Sequence, residues 1–244
     1  MSLRLSLEIP TAYLEEWSLW TDLDFVLAHR VLEDEAYAEF YARRPSDREL
    51  ILDNSMHELG APLSIEAIRD AAERVHADYV IPPDRLGEPE WNLLQYAQTC
   101  RVCSDFNVAG VLCGRDMAER RSVLDHIQGA PMLLLPFREP RLTWFLELET
   151  PIRRRFENKR IHLLGVNTLT ELQCFAGYSS DERSIWSVDT SKPIKHGVVH
   201  RNIRDGSLRG AALSSKDLLD LHSLTSAQIE SVAANVLVLR EFLE

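Results

Sequence analysis

Glu49-Leu50-Ile51-Leu52-Asp53-Asn54-Ser55 is an apolar run of strand length that stops on acid, amide and hydroxyl side chains, and Ser64 then opens a stretch of helical period that lasts to His76. A second short run, Asp78-Tyr79-Val80-Ile81, follows and stops on Pro82-Pro83-Asp84. Strand, amphipathic helix and strand in that order make a βαβ unit, whose strands lie parallel because the helix carries the chain back to its starting end. Outward from this unit the same rhythm places strands at 4–9, 24–31, 49–53, 78–81, 108–112, 132–135, 161–166 and 185–188. Amphipathic segments at 64–76, 90–103, 118–127, 142–158 and 170–175 connect them. The alternation predicts an α/β chain of the (β/α)8, TIM-barrel type, one domain over 1–244. Two further helices are expected in a C-terminal helical segment, 214–244, where Ser215 and Thr225 offer caps, packed on the outside of the barrel. The stretch 192–210 is rich in Gly, His and basic residues with little period, and reads as a long functional loop.

With 244 residues, 45% of them hydrophobic, the chain can bury one large core. Its longest apolar runs, such as Pro131-Met132-Leu133-Leu134-Leu135-Pro136, are strand-sized, well short of the roughly 20 residues of a membrane span. Residues 1–10 alternate apolar and polar positions instead of forming the apolar block of a signal peptide, so a soluble, cytoplasmic protein without a membrane partner is expected. The four cysteines, Cys100, Cys103, Cys113 and Cys174, are too few and too unevenly spaced for a secreted disulfide scaffold. Cys100 and Cys103 have the spacing of a zinc knuckle, but no second ligand pair accompanies them and they fall in a helical stretch, where cysteine is usually core. The net charge of −11 excludes a uniformly basic nucleic-acid surface while leaving room for local tracks. Arg153, Arg154 and Arg155 with Lys159 and Arg160 read as a solvated helix face. Lys192, Lys195, Arg201 and Arg204 are either a solvated loop or contacts to backbone phosphates.

In a parallel barrel the active site lies at the C-terminal ends of the strands, which makes the strand-end residues the informative ones. Asp53-Asn54-Ser55, Asp84, Cys113-Gly114, Gly165 and Asp189-Thr190-Ser191 all fall there. Any one aspartate can equally be a helix cap or an Asx turn. Three acids at one rim, which would repel and raise one another's pKa, ask for a further reason.

These strand ends resemble, in order, the motifs of the tRNA-guanine transglycosylase superfamily. Ile51-Leu52-Asp53-Asn54-Ser55 is similar to the family's Asp-Ser-Gly-Gly strand end, and 77–84 with Glu88-Pro89 to its base-recognising Asp-Glu-Cys segment. Gly110-Val111-Leu112-Cys113-Gly114 resembles Val-Gln-Gly-Gly, 162–172 resembles Met-Gly-Val-Gly-Thr-Pro-Glu-Asp-Leu, and Ser187-Val188-Asp189-Thr190-Ser191 resembles the Phe-Asp-Cys strand. Arg201-Asn202-Ile203-Arg204-Asp205-Gly206 is similar to the family's Arg-Asn-Ala-Arg-Asn-Gly, displaced further from the aspartate. Two departures stand out. No cysteine follows Cys174, so the zinc subdomain of the tRNA enzymes is absent, and His57 or its neighbour replaces the second glycine of the first motif. The chain therefore looks most like the short, zinc-free, phage-type enzymes that insert 7-deazaguanines into DNA.

The resemblance implies a transglycosylase that exchanges guanine in DNA for a 7-deazaguanine base (preQ0-like) through a covalent aspartyl-nucleotide intermediate. Asp189 would be the nucleophile beneath the ribose and Asp53 the acid/base that moves the purine proton. Asp84 would accept the two adjacent donors of the guanine edge. Gly165 would present its backbone to the base, and Asn54, Ser55, Cys113 and Gly114 would complete the pocket, with Tyr79, Met56 and Trp186 as candidate stacking partners. No cofactor and no metal are implied; the partners are DNA, single-stranded or with a flipped-out guanosine, and the free base. The alternatives are the same chemistry on tRNA, and a metal-dependent barrel hydrolase with His57, His162 and His200 among its ligands. A binding subunit that has lost catalysis is a further possibility, against which the pairing of Asp53 with Asp189 speaks. The identity of the deazaguanine and the oligomeric state are not written in the sequence.

Overall fold

The computed structural model describes residues 3–137, 141–156, 159–176, 185–205, 213 and 215–243. They form two compact units, Leu23–His162 and Met1–Asp22 with Leu163–Glu244.

In the first unit, parallel strands follow one another in chain order. β2 (Asp24–Leu27) pairs with β3 (Leu50–Asp53), setting Leu27 against Asp53, and β3 pairs with β4 (Tyr79–Val80). β4 pairs with β5 (Asn107–Val108), and β6 (Gly110–Val111) with β7 (Met132–Leu135), beyond which lies β8 (Arg160–Leu163). The strand expected at 108–112 is thus divided at Ala109, since its first half bonds to β4 and its second to β7. Backbone bonds from Ala109 N to Val80 O (2.9 Å) and from Leu112 N to Leu134 O (2.9 Å) carry the run from one neighbour to the other. The strands are buried almost throughout because helices cover them, as all-parallel sheets require. One such helix, Ile65–Val75, starts where Ser64 Oγ accepts from Ala67 N at 3.1 Å and buries Ile68, Ala71, Ala72 and Val75.

The apolar run 24–31 does not stay extended. It turns helical at Ala28, and Ala28–Glu33 and Glu35–Ala42 form two helices, the first of them overlapping the expected strand. Tertiary bonds supply the reason: the Tyr37 hydroxyl accepts from Leu27 N at 3.3 Å and Ser55 Oγ from His29 N at 3.1 Å, while the Asp34 carboxylate caps the second helix through Tyr37 N at 3.1 Å.

In the second unit β1 (Arg4–Leu7) pairs in parallel with β9 (Ile185–Thr190), setting Ser6 against Asp189. The stretch read as a functional loop is in its first part a buried helix, Lys192–Val198, and only 206–210 lies outside the described residues. The C-terminal helix Ser226–Glu241, opened by a capping box between Thr225 and Gln228, crosses it closely. A Cβ placed on Gly197 would come 2.5 Å from Val232 Cα and 2.6 Å from its N. Asn235, 2% exposed, accepts from Ile203 N at 3.1 Å and donates to Arg201 O at 2.9 Å and Pro193 O at 3.2 Å. The tail thus supplies the hydrogen-bond partners that let 192–203 be buried. No helix among the described residues is long and apolar enough to cross a membrane.

Candidate active site

In the unit Leu23–His162, the first candidate side chains follow β3. Asp53 Oδ2 accepts from Ser55 N at 2.7 Å and Asn54 Oδ1 from Met56 N at 2.9 Å, two successive Asx turns that fold the chain back on the strand end. Ser55, fully buried, sits at φ 60°, ψ 20°, the left-handed region that glycine enters without strain. The Asn54 amide, 3% exposed, donates from Nδ2 to Pro82 O and to Asp84 Oδ1, both at 2.7 Å. One buried amide thereby couples the end of β3 to the residues after β4 and fixes the Asp84 carboxylate.

Asn92, on the helix Pro89–Val102, escaped the sequence reading and closes the next link. It accepts from Arg85 N at 2.7 Å and donates to Arg85 O at 2.9 Å and to Cys113 Sγ at 3.3 Å, joining the segment after β4 to the one after β6. A 5%-exposed asparagine inside a helix was the signal available in principle, but its burial is not visible in the sequence. Burial pushes the Cys113 thiol above its usual range, against the opposing Asn92 hydrogen bond and with the Asp84 charge adding to the rise. Two clefts open on this network and share Asp84 and Cys113. One is lined by Pro82, Asn92 and Tyr96; the other, open to solvent, by Arg85, Gly114, Arg120, Pro136 and Trp144.

In the unit Met1–Asp22 with Leu163–Glu244, Asp189 lies at the C-terminal end of β9, 3% exposed, with Oδ1 accepting from Gly165 N at 3.0 Å and its backbone carbonyl from Val166 N at 3.0 Å. Gly165 takes φ 62°. Its N–H is turned to the aspartate. Thr190 Oγ1 donates to Val166 O at 2.8 Å and accepts from Lys192 N at 3.2 Å, setting the start of the helix that follows. Burial, with Lys195 nearby, holds the Lys192 ammonium below its usual range against the opposing charge of Glu8.

The four basic residues expected on the backbone track are not equivalent. Lys195 is 8% exposed in the helix Lys192–Val198, Lys192 is half-buried, Arg204 pairs with Glu241, and Arg201 is exposed. The stacking candidates divide as well. Met56 is half-buried beside Asn54, whereas the Tyr79 hydroxyl accepts from Arg160 at 2.8 Å at the N-terminal end of β8, and Trp186 lies under Arg4 (4.7 Å) three residues before Asp189.

His162 is fully buried in β8 and stacks on Phe25 at 5.5 Å, while His57 and His200 are exposed. Among the described residues no group of three or more His, Cys, Asp or Glu side chains is placed to hold a metal ion. Cys103 packs with Ile65, Val108 and the neighbouring Tyr96 and Cys100, and burial raises its thiol to about 11 and that of Cys100 above the usual range. The pair is hydrophobic core.

No protein-family model and no curated protein sequence matches this chain. Among solved structures, 3-hexulose-6-phosphate synthase from Salmonella typhimurium is similar at TM-score 0.53 and 16% identity, over 91% of this chain and 100% of its own. A candidate fructose-1,6-biphosphate aldolase from Coccidioides immitis is similar at TM-score 0.57 and 11% identity, over 99% of this chain and 92% of its own. At such identities the likeness speaks for the fold alone. The chain is an α/β protein of the (β/α)8, TIM-barrel type.

Proposed function

We propose that the chain is a pentosyltransferase that exchanges guanine in DNA for a 7-deazaguanine base. The observation that carries this assignment is Asp189: a carboxylate 3% exposed at the C-terminal end of a parallel strand, oriented by the Gly165 N–H on one oxygen. That is what a nucleophile needs in order to meet a sugar carbon with fixed geometry. In the first step an Asp189 oxygen bonds to C1′ as the C1′–N9 bond breaks, and the departing purine takes its proton from Asp53. In the second, the incoming base gives a proton to Asp53, its nitrogen attacks C1′, and Asp189 leaves as carboxylate. Asp84, held by Asn54, is set to accept the paired N–H donors of the guanine edge. Ser55 adds support, because its left-handed backbone occupies the position where the transglycosylase motif carries its first glycine.

The test is incorporation of a labelled 7-deazaguanine into guanine-containing single-stranded DNA, duplex DNA or tRNA by wild type, Asp189→Asn and Asp53→Asn. Label should enter DNA and be lost in both variants, and a covalent protein–DNA species on a denaturing gel should vanish with Asp189→Asn. Entry into tRNA alone would move the substrate. No entry into any nucleic acid would end the proposal.

A further inference from the structure

Arg85 and Arg120 line the open cleft that also holds Asp84. The Arg85 guanidinium lies 4.2 Å over the Trp91 ring and pairs through one Nη with Glu88 at 3.5 Å. The Arg120 guanidinium lies 5.1 Å over Trp144, has one Nη 4.0 Å from Met117 Sδ, and has no carboxylate at ion-pair distance among the described residues. Its acidic neighbour Glu119 is engaged elsewhere: Arg115 grips it through Nε (2.9 and 3.2 Å) and the Arg115 backbone N–H (2.7 Å). Stacking occupies the face of a guanidinium and leaves its in-plane N–H fork to bind a planar or tetrahedral oxyanion. A second, independent feature points to an acceptor. Trp144 lines the same cleft at 4% exposure, and its buried indole N–H has no hydrogen-bond partner among the described residues, a condition that ordinarily marks a water or ligand site. Gly114 completes the arrangement: a Cβ there would come 2.8 Å from Arg120 Cγ and 2.9 Å from Arg120 N, so only glycine lets the arginine stem lie against the strand end.

We infer that this cleft, with Arg85 and Arg120 on its walls and Trp144 beside them, binds a phosphate of the nucleic-acid backbone next to the nucleotide whose base Asp84 reads. Among the described residues lining the cleft, two guanidiniums, one of them paired with Glu88, face one carboxylate, Asp84. The phosphate as ligand follows from the cleft; its origin in a nucleic acid rests on the proposed base exchange. The site differs from the basic track 192–204 that the sequence suggested.

The experiment measures binding of a fluorescent single-stranded DNA oligonucleotide by anisotropy over a range of salt, for wild type, Arg120→Gln, Arg85→Gln and the control Arg115→Gln. Ribose 5-phosphate and inorganic phosphate are titrated in parallel by calorimetry, and melting temperatures establish that each variant is folded. Arg120→Gln should weaken DNA binding about tenfold and flatten the plot of log K against log salt by about 0.7, the increment for one single-strand phosphate contact. Arg85→Gln should act in the same direction, and Arg115→Gln should change neither quantity. If wild type binds DNA and the folded Arg120→Gln variant matches it in affinity and slope, the phosphate site is refuted while base exchange stands. If wild type ignores DNA but binds ribose 5-phosphate or inorganic phosphate in an Arg120-dependent way, the phosphate site holds and its nucleic-acid source is overturned, base exchange with it. Binding of none of the probes overturns both.

Discussion

Replacing Asn54 with aspartate exchanges an amide for a carboxyl of nearly the same shape, which isolates hydrogen-bond polarity from packing. The wild-type Nδ2 donates to Pro82 O and Asp84 Oδ1, both at 2.7 Å, from a side chain 3% exposed. An ionised carboxylate there can donate to neither, and it places a second negative oxygen against Asp84. The buried Pro82 carbonyl left unpaired costs about 1–3 kcal/mol before any repulsion between the two carboxylates. At about 2–4 °C per kcal/mol for a chain of this size, the melting temperature should fall by roughly 2–12 °C, and by more with that repulsion, near neutral pH. The pH dependence carries the sharper test. The neighbouring charge and burial raise the pKa of the introduced carboxyl in the folded state, so folding takes up a proton and the variant gains stability as pH falls through that raised value. Once protonated, the carboxyl again donates to Asp84, recovering one of the two bonds. Thermal unfolding of Asn54→Asp and wild type by circular dichroism, at about pH 8 and about pH 5.5, should show the deficit shrinking by about 1–3 kcal/mol at the lower pH. An equal deficit at both values would refute the placement of Asn54 against the Asp84 carboxylate.

Gly197→Ala forces a methyl within 2.5 Å of Val232 Cα, and because the obstacle is helix backbone the cost should reach or exceed the usual overpacking range of about 1–3 kcal/mol. A melting temperature within about 1 °C of wild type would show that the two helices do not cross so closely. Cys113 should resist iodoacetamide at neutral pH when folded and react in urea, because burial keeps its thiol protonated; for the same reason its contribution to stability is present below the unfolded thiol pKa and is lost as pH rises through the folded value. Peptide mass spectrometry after timed alkylation measures this, and equal native and urea rates would contradict the burial. Asp24→Asn should cost about 3–5 kcal/mol by stranding Arg48, which now holds Asp24 through Nε (2.9 Å) and an Nη (2.7 Å), without lowering base exchange by the folded fraction. Asp53→Asn should do the reverse, and an exchange of those two phenotypes would disprove the division of labour between the strand ends.

What could be read from the sequence was whatever local chemistry decides. β7 was placed to the residue because Met132–Leu135 is a bounded apolar run, and the caps at Ser64 and Thr225 each bond an amide three residues away. The misses have partners far along the chain. Ala28–Glu33 becomes helical with help from Ser55, 26 residues on from His29, and Lys192–Val198 is buried because Gln228 Nε2 reaches Val198 O at 2.8 Å and Asn235 reaches Pro193 O across 42 residues. Glycine, histidine and lysine in that segment looked like solvent-facing composition; only a tertiary partner could make it core. The site divides in the same way. Asp53, Asn54, Asp84 and Cys113 were legible because strand ends are identifiable from the rhythm, whereas Asn92, Arg120 and Trp144 enter from helices, whose inward faces depend on packing.

The acids of the unit Leu23–His162 are sorted by the end of the strand they occupy. At the N-terminal ends Asp24 is paired with Arg48, Asp78 with Arg44 and Glu49 with Arg160. At the C-terminal ends Asp53 accepts from the Ser55 backbone amide and Asp84 from the Asn54 side-chain amide. The difference is chemical. An arginine fork fixes a carboxylate and pairs its charge, which favours a group needed only for register and stability. A neutral amide orients the same carboxylate without itself pairing the charge. Strand direction places Asp53 and Asp84 at the rim where a parallel barrel carries its chemistry.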